Sequence, residues 1–278
     1  MSNLFKDFRL VLCQFAAGMS KEANLSKAAS LVKQAAEAGG RVVVLPECFN
    51  SPYSTKHFAN YAEDVSSESS QSVLALKDMA RSNSVYLVGG SIPELDSGKI
   101  YNTCLILNPS GDIIGKHRKV HLFDINVPGG VTFYESDVLT AGSQATVVET
   151  EYCKIGIGIC YDVRFPEYAW TLSRDEGVGI IVYPGCFNMR TGPKHWELLM
   201  RARAVDNFVF VAGCSQARDT TAEYVAWGHS LVVDPIGDVQ DIDENEGLLI
   251  KDILFENLNS CRNSIWTRKH KRFEVYRQ

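Results

Sequence analysis

Residues 154–167 read KIGIGICYDVRFPE. An apolar run ends in Cys160, Tyr161 and Asp162 follow at once, and Pro166 suits the first position of a helix. Gly156 and Gly158 weaken such a strand unless another backbone, side chain or ligand approaches closely. Strand, nucleophile, tight turn and helix is the mechanical order of a nucleophile elbow, which exposes a side chain at a strand end. A backbone N–H there is aimed at a developing oxyanion. Against this stands a plainer reading: a cysteine that closes an apolar strand is most often a small core hydrophobe. A dinucleotide-binding turn does not fit, because Tyr161 occupies the place of the third glycine in G-x-G-x-x-G.

Outward from this stretch, similar runs recur: RLVLCQF, RVVVLP, VYLVGG, GIIVYP, FVFVAG and HSLVVD. Val and Ile dominate them, and most are apolar along their whole length, so they are predicted to be strands covered on both faces. Helices are predicted between them. Ser20 caps one that runs toward Ala38, with Gly39-Gly40 as the stop. A second is predicted over 70–81, a third from Pro166 and a fourth from near Pro193. Alternation of strand and helix indicates an α/β fold. Residues 217–278 are predicted to be richer in strands and loops. No linker, repeat or low-complexity segment marks a boundary, so residues 1–278 read as one domain.

Composition narrows the function. A net charge of −5, with 45% apolar and 22% charged residues, is ordinary for a globular protein. It argues against a nucleic-acid or membrane-surface binder. No apolar run approaches the roughly 18 residues of a spanning helix, and the first residues, MSNLFKDFRLVL, are not expected to be a secretory signal. The eight cysteines form no C-x-x-C pair and mostly sit in apolar runs. Reduced thiols in the cytoplasm are expected, rather than disulfides or a metal site.

Two further stretches complement Cys160. In RVVVLPECFNSPYS, Glu47 follows an apolar strand, where desolvation raises a carboxyl pKa toward that of a base useful near neutrality. The commoner reading of such a residue is a solvated glutamate opening a loop. In GKHRKVHLFDINVPGGVTFYES, a basic run passes into apolar VHLFDI, so alternate members must point inward. Lys119 is one of these, and an inward lysine needs a partner, either Glu47 or Glu135. A free thiol has a pKa near ~8.5 and needs a base. A glutamate can take its proton and return it to departing ammonia, while a lysine steadies the tetrahedral oxyanion. The chemistry is acyl transfer through a thioester, with water as second acceptor.

Together LPECFNSPY, HRKVHLFD, TFYES and GICYDVRFPE resemble the nitrilase, or carbon–nitrogen hydrolase, superfamily. The likeness continues through YPGCFNMRTGPKHWELLMRARAVDN and YVAWGHSLVVDPIGD, nearly the whole chain. It implies Glu47 as base, Lys119 as the lysine, Cys160 as nucleophile and Glu135 as the second glutamate, and it favours the nucleophile reading of Cys160. It also implies a four-layer αββα sandwich that pairs as a homodimer across a helical face. LPECFNSPYS, HRKVHLFDINVPGG and FNMRTGPKHWELL are most similar to the omega-amidase branch. That branch implies hydrolysis of the terminal amide of dicarboxylic acid monoamides such as 2-oxoglutaramate and 2-oxosuccinamate. The resemblance implies no cofactor. The expected location is the cytoplasm, with an additional mitochondrial pool left open. Two residues depart from the pattern. Cys186 stands where alanine is expected and is expected to line the site, and Phe208 stands where glutamine is expected, as a packing change.

The substrate class asks for a carboxylate binder. Arg164 is a candidate, since an arginine fork suits a carboxylate. An ion pair with Glu167 or Asp162 is the competing reading. Tyr53, Tyr161 and Thr191 are candidate contacts, as is Phe187, although Phe187 and Trp196 also read as core aromatics. Deaminated glutathione, another amide near an anionic carboxylate, is the alternative substrate. A catalytically silent interaction module of the same fold is the non-enzymatic alternative.

Overall fold

A computed structural model describes residues 5–126, 132–174 and 177–276. The first half runs β1 (Phe8–Gln14), α1 (Lys21–Glu37), β2 (Val42–Val44), α2 (Phe58–Tyr61), α3 (Gln71–Asn83), β3 (Tyr86–Val88), β4 (Ile92–Asp96), β5 (Lys99–Leu107) and β6 (Ile113–Arg118). A hairpin of β7 (Asp124–Asn126) and β8 (Thr132–Tyr134) follows. The second half runs β9 (Thr146–Glu149), β10 (Lys154–Ile157), α4 (Pro166–Arg174), β11 (Ile180–Gly185), α5 (Gly192–Asn207), β12 (Phe210–Ser215), β13 (Leu231–Val233), β14 (Val239–Asp241) and β15 (Gly247–Ile253). Three helices close it: α6 (Phe255–Ser264), α7 (Thr267–His270) and α8 (Phe273–Tyr276).

Two sheets form, ordered β15-β1-β2-β3-β5-β4, with β6 beside β5, and β14-β13-β12-β11-β10-β9. Each has three parallel strands at its centre, β1, β2 and β3 or β10, β11 and β12. Antiparallel strands flank them. β15 returns to the first sheet and pairs Ile253 with Phe8, so the end of the second half closes the edge of the first.

The apolar runs are buried on both faces because each face meets a different layer. Leu10, Leu12, Val42, Val44 and Val88 pack inward with Ile155, Ile157 and Val182 of the other sheet. Their neighbours Val11, Cys13, Val43 and Leu87 pack outward against Ala28, Val32 and Ala35 of α1 and Leu76 and Met79 of α3. This is the two-residue alternation of a strand. Leu172 of α4 and Trp196, Met200 and Ala204 of α5 cover the second sheet. The layers are therefore αββα, as expected. Each fully buried aliphatic side chain contributes about 1.5–3 kcal/mol of transfer free energy.

Local signals are kept. Ser20 Oγ accepts from the Ala23 N–H at 3.2 Å and caps α1. Ser70 caps α3 through the Val73 N–H. Pro166 opens α4. The glycines of KIGIGI answer to close neighbours: a Cβ at Gly158 would lie 2.5 Å from the Tyr183 ring, and one at Gly156 3.1 Å from Leu172. The expectation for residues 217–278 needs correction, since α6, α7 and α8 occupy most of 255–276. Phe255, Leu258 and Cys261 give α6 a buried stripe, but in a mostly polar sequence it is too sparse to read as a helix. The VPGGV part of the third motif, residues 127–131, lies outside the described residues.

Candidate active site

Glu47 stands just past β2. Cys48 after it has φ +50°, and its N–H donates to Ser91 Oγ at 2.9 Å. Gln216 Nε2 donates to the Glu47 carbonyl at 2.8 Å, so the backbone at the base of the site is held from the second sheet. Gly90 lies against this turn. A Cβ there would come within 2.2 Å of the Pro46 carbonyl oxygen, and its φ is +61°, so glycine is required.

Lys119 follows β6 and keeps its register, donating its N–H to the Asn102 carbonyl at 2.8 Å. Glu135 begins a 3-10 turn, Glu135–Asp137, after the β7–β8 hairpin. The three side chains meet with no exposure to solvent. Lys119 Nζ lies 2.9 Å from Glu47 Oε1 and 2.9 Å from Glu135 Oε2. Asn102 Nδ2 also donates to Glu47 Oε1, at 2.9 Å. Glu135 accepts from the Tyr53 hydroxyl and from the Phe123 N–H, both at 2.7 Å. Glu135 thus has both oxygens filled. Glu47 Oε2 is buried without a hydrogen-bond partner, and the Cys160 thiol lies near enough to this carboxylate to act on its pKa.

Cys160 opens a 3-10 turn, Cys160–Arg164, with φ +46°. A non-glycine residue in this region is strained, as at other nucleophile turns. Asp162 fastens the turn. It accepts from the Ile159 N–H at 2.8 Å, the His121 N–H at 2.9 Å and His121 Nδ1 at 2.7 Å, with His117 Nε2 at 3.3 Å. The six histidines read as lacking an H-x-x-x-H pair, which needs correction: His117 and His121 have that spacing, often seen in metal sites. Here both rings turn to one carboxylate. Among the described residues, no group of three or more His, Cys, Asp or Glu side chains is placed to hold a metal ion. The backbone of Cys186, beside the Cys160 sulfur, works to lower the thiol's pKa.

Electrostatics sort these groups. Burial raises Glu47; Lys119 pulls it back, and nearby Glu135 raises it again. Burial opposes the charge on Lys119, but Glu135 and Glu47 outweigh it and hold the ammonium well above the usual lysine range. Burial, and then Glu47, push the Cys160 thiol well up. These shifts favour an ammonium on Lys119 and the proton on the Cys160 sulfur.

A narrow cleft opens beside the sulfur, lined by Cys160, Tyr161, Arg164, Cys186, Phe187, Thr191, Phe123 and Tyr224. Arg164 makes neither expected ion pair. Asp162 is filled by the two histidines, and no contact to Glu167 forms among the described residues. The guanidinium instead lies 5.0 Å over the Phe187 ring and 5.5 Å over Tyr161. Thr191 lines the pocket but donates its hydroxyl to Asn188. Tyr53 does not line it; its hydroxyl is given to Glu135. Cys186 lines the pocket as expected, and Trp196 is buried with its indole N–H on the His229 carbonyl.

Comparison with known proteins gives this geometry its family. Residues 9–263 match the carbon-nitrogen hydrolase family model. The chain belongs to the carbon–nitrogen hydrolase family. It is 51% identical to the omega-amidase NIT2 of Xenopus tropicalis and 48% to that of Homo sapiens, in both over 97% of this chain and 96% of the relative. It shares 42% identity with Nit3 of Saccharomyces cerevisiae, a member of branch 10 of the nitrilase superfamily. That structure superposes with a TM-score of 0.89, covering 98% of this chain and 99% of that one. The family assignment and the expectation of an amidase-type hydrolase are both borne out.

Several site residues escape sequence reasoning. Asn102 and Gln216 hold Glu47, and Phe123 and Tyr224 wall the pocket. Each is an ordinary residue in an ordinary stretch, tens of residues from the group it serves. Only Asp162, inside the nucleophile turn, left a signal: a carboxylate two residues past the cysteine and four before a helix-opening proline.

Proposed function

We propose that the protein is an omega-amidase, hydrolysing the terminal amide of a dicarboxylic acid monoamide such as 2-oxoglutaramate or 2-oxosuccinamate. The carrying observation is the juxtaposition of a buried Glu47–Lys119–Glu135–Cys160 cluster with a small pocket that also holds Arg164. As the thiol attacks the amide carbon, its proton passes to Glu47, and Lys119 steadies the oxyanion. Glu47 returns the proton to the leaving nitrogen, the C–N bond breaks and ammonia departs, leaving a thioester on Cys160. Glu47 then takes a proton from water, which attacks the thioester carbon. The C–S bond breaks, the acid is released and the thiol is restored. Glu135 is not consumed. With both oxygens hydrogen bonded, it keeps Lys119 charged through the cycle. Such acid–base help is worth about 10²–10⁴ in rate, and an oxyanion donor about 10²–10³.

The distal carboxylate is assigned to Arg164, with Thr191 and the start of α5 beside it. The enzyme acts on small molecules as a homodimer. Leu198 and Val205, seven residues apart on one exposed stripe of α5, support pairing across that face. The test is ammonia release from 2-oxoglutaramate by wild type and Cys160→Ala, with glutamine as control. Release from the oxo acid alone, abolished by the substitution, is expected. Faster turnover of deaminated glutathione would move the assignment to that substrate, and no turnover of either would leave the silent module.

A further inference from the structure

We infer that His195 is a positioning residue, orienting the Arg164 guanidinium for the carboxylate of the substrate. This rests on the amidase reading above and names the group that sets its substrate affinity. Arg164 Nη1 lies 3.3 Å from His195 Nδ1. A guanidinium has donors only, so Nδ1 must present its lone pair, and the ring is the neutral tautomer with its proton on Nε2. Burial, with Arg164 and Lys194 nearby, holds His195 below the usual histidine range, which keeps that lone pair available at neutral pH.

Among the described residues His195 is the one side chain that hydrogen bonds to Arg164; its other neighbours there are the Phe187 and Tyr161 rings. Arg164 Nε is buried without a partner, and Nη2 has none among the described residues. The Nε–Nη2 edge is a bidentate fork, the geometry that matches a carboxylate. His195 holds the remaining nitrogen and so fixes the plane of this fork, rather than leaving a rotating head, in a residue that lines the cleft beside Cys160. α5 also fixes the backbone beneath. Arg203 Nε donates to the Val163 carbonyl at 2.8 Å and Nη2 to the Arg164 carbonyl at 3.2 Å. His195 and Arg203 are eight residues apart, on one face of the helix. One helix therefore sets both the backbone and the side chain of the anion-binding arginine.

The test is steady-state kinetics on 2-oxoglutaramate with His195→Ala, His195→Asn and Arg164→Met, beside the rate at which neutral iodoacetamide alkylates Cys160. His195→Ala is expected to raise KM about tenfold, the worth of one hydrogen bond to a charged group, with kcat within about twofold. Asn places its amide oxygen near the position of Nδ1, so His195→Asn should recover most of the affinity. Alkylation of Cys160 should keep its wild-type rate throughout. An unchanged KM in His195→Ala, no rescue by asparagine, or an equal loss in alkylation would each overturn the inference. If Arg164→Met raises KM while His195→Ala does not, the carboxylate assignment stands and this inference alone falls. If neither raises it, both fall.

Discussion

The run KHRK, residues 116–119, supplies two carboxylate clusters on opposite faces of one segment. Lys116 and Arg118 reach Glu94 on one side, and Lys119 reaches Glu47 and Glu135 on the other. Both Glu94 and Glu47 are out of contact with solvent, yet their acidities move in opposite directions. Burial works against the charge on Glu94, but Arg118, Thr103 and Lys116 hydrogen bond to it and hold its pKa below the ordinary value. Arg118 grips both oxygens at 2.7 Å. Glu47 lies deeper in the protein, has one oxygen without a hydrogen-bond partner, and is raised. A carboxylate whose hydrogen bonds are complete is a structural anchor. One left incomplete beside a thiol can take a proton.

Substitutions that separate the two clusters test this contrast. Glu47→Gln should lower kcat by about 10²–10⁴-fold, with a melting temperature equal to or above wild type. The sign follows from the raised folded-state pKa, which makes the ionised Glu47 a cost to folding at neutral pH that glutamine removes. A melting temperature well below wild type would show that Glu47 is structural after all. Lys119→Met should cost about 10²–10³ in kcat, measured by ammonia release. Glu94→Gln should behave in the opposite way, losing about 3 kcal/mol in urea titration because it leaves Arg118 half-buried and underpaired, with kcat near wild type. Lys116→Met, 42% exposed at the rim of the same cluster, should cost less than about 1 kcal/mol and no activity.

The pH dependences should diverge as well. Activity needs ionised Glu47, so kcat/KM should fall on the acid side at a pH above the ordinary glutamate value of about 4.3. Asp162 and Glu94 have lowered pKa values, Asp162 through His117 and His121 against the cost of burial. Their stabilisation is present above their unfolded pKa values and is lost as pH falls below them. Inactivation should therefore precede unfolding as the solution is acidified, and coincident curves by activity and circular dichroism would break the distinction.

What could be read without the fold depended on local pattern. The central strands were legible because burial on both faces leaves continuous Val and Ile. Their antiparallel flanks β4, β6 and β9 are half exposed, with mixed composition, and gave no such run. Lys119 was legible because an alternating basic run entering an apolar strand has to turn every second residue inward. The competing ion pairs for Arg164 looked plausible in sequence because Asp162 and Glu167 are close along the chain. Asp162 was already taken by two histidines some forty residues away, which no local pattern records.

By itself, then, the sequence determined the α/β alternation, the capped helices, and the kinds of groups at the site: a thiol on a strained turn, an inward lysine and two glutamates. The alternation and the caps follow from short-range periodicity and backbone sterics; the thiol, the lysine and the two glutamates were singled out by the family resemblance of their motifs. Tertiary structure alone decided which oxygen of Glu47 stays unfilled, that Tyr53 serves Glu135, and that Arg164 turns an unpaired edge beside the pocket. Hydrogen-bond completion depends on atoms brought together from distant segments, such as Asn102, Phe123 and His195, and only packing the four layers places them.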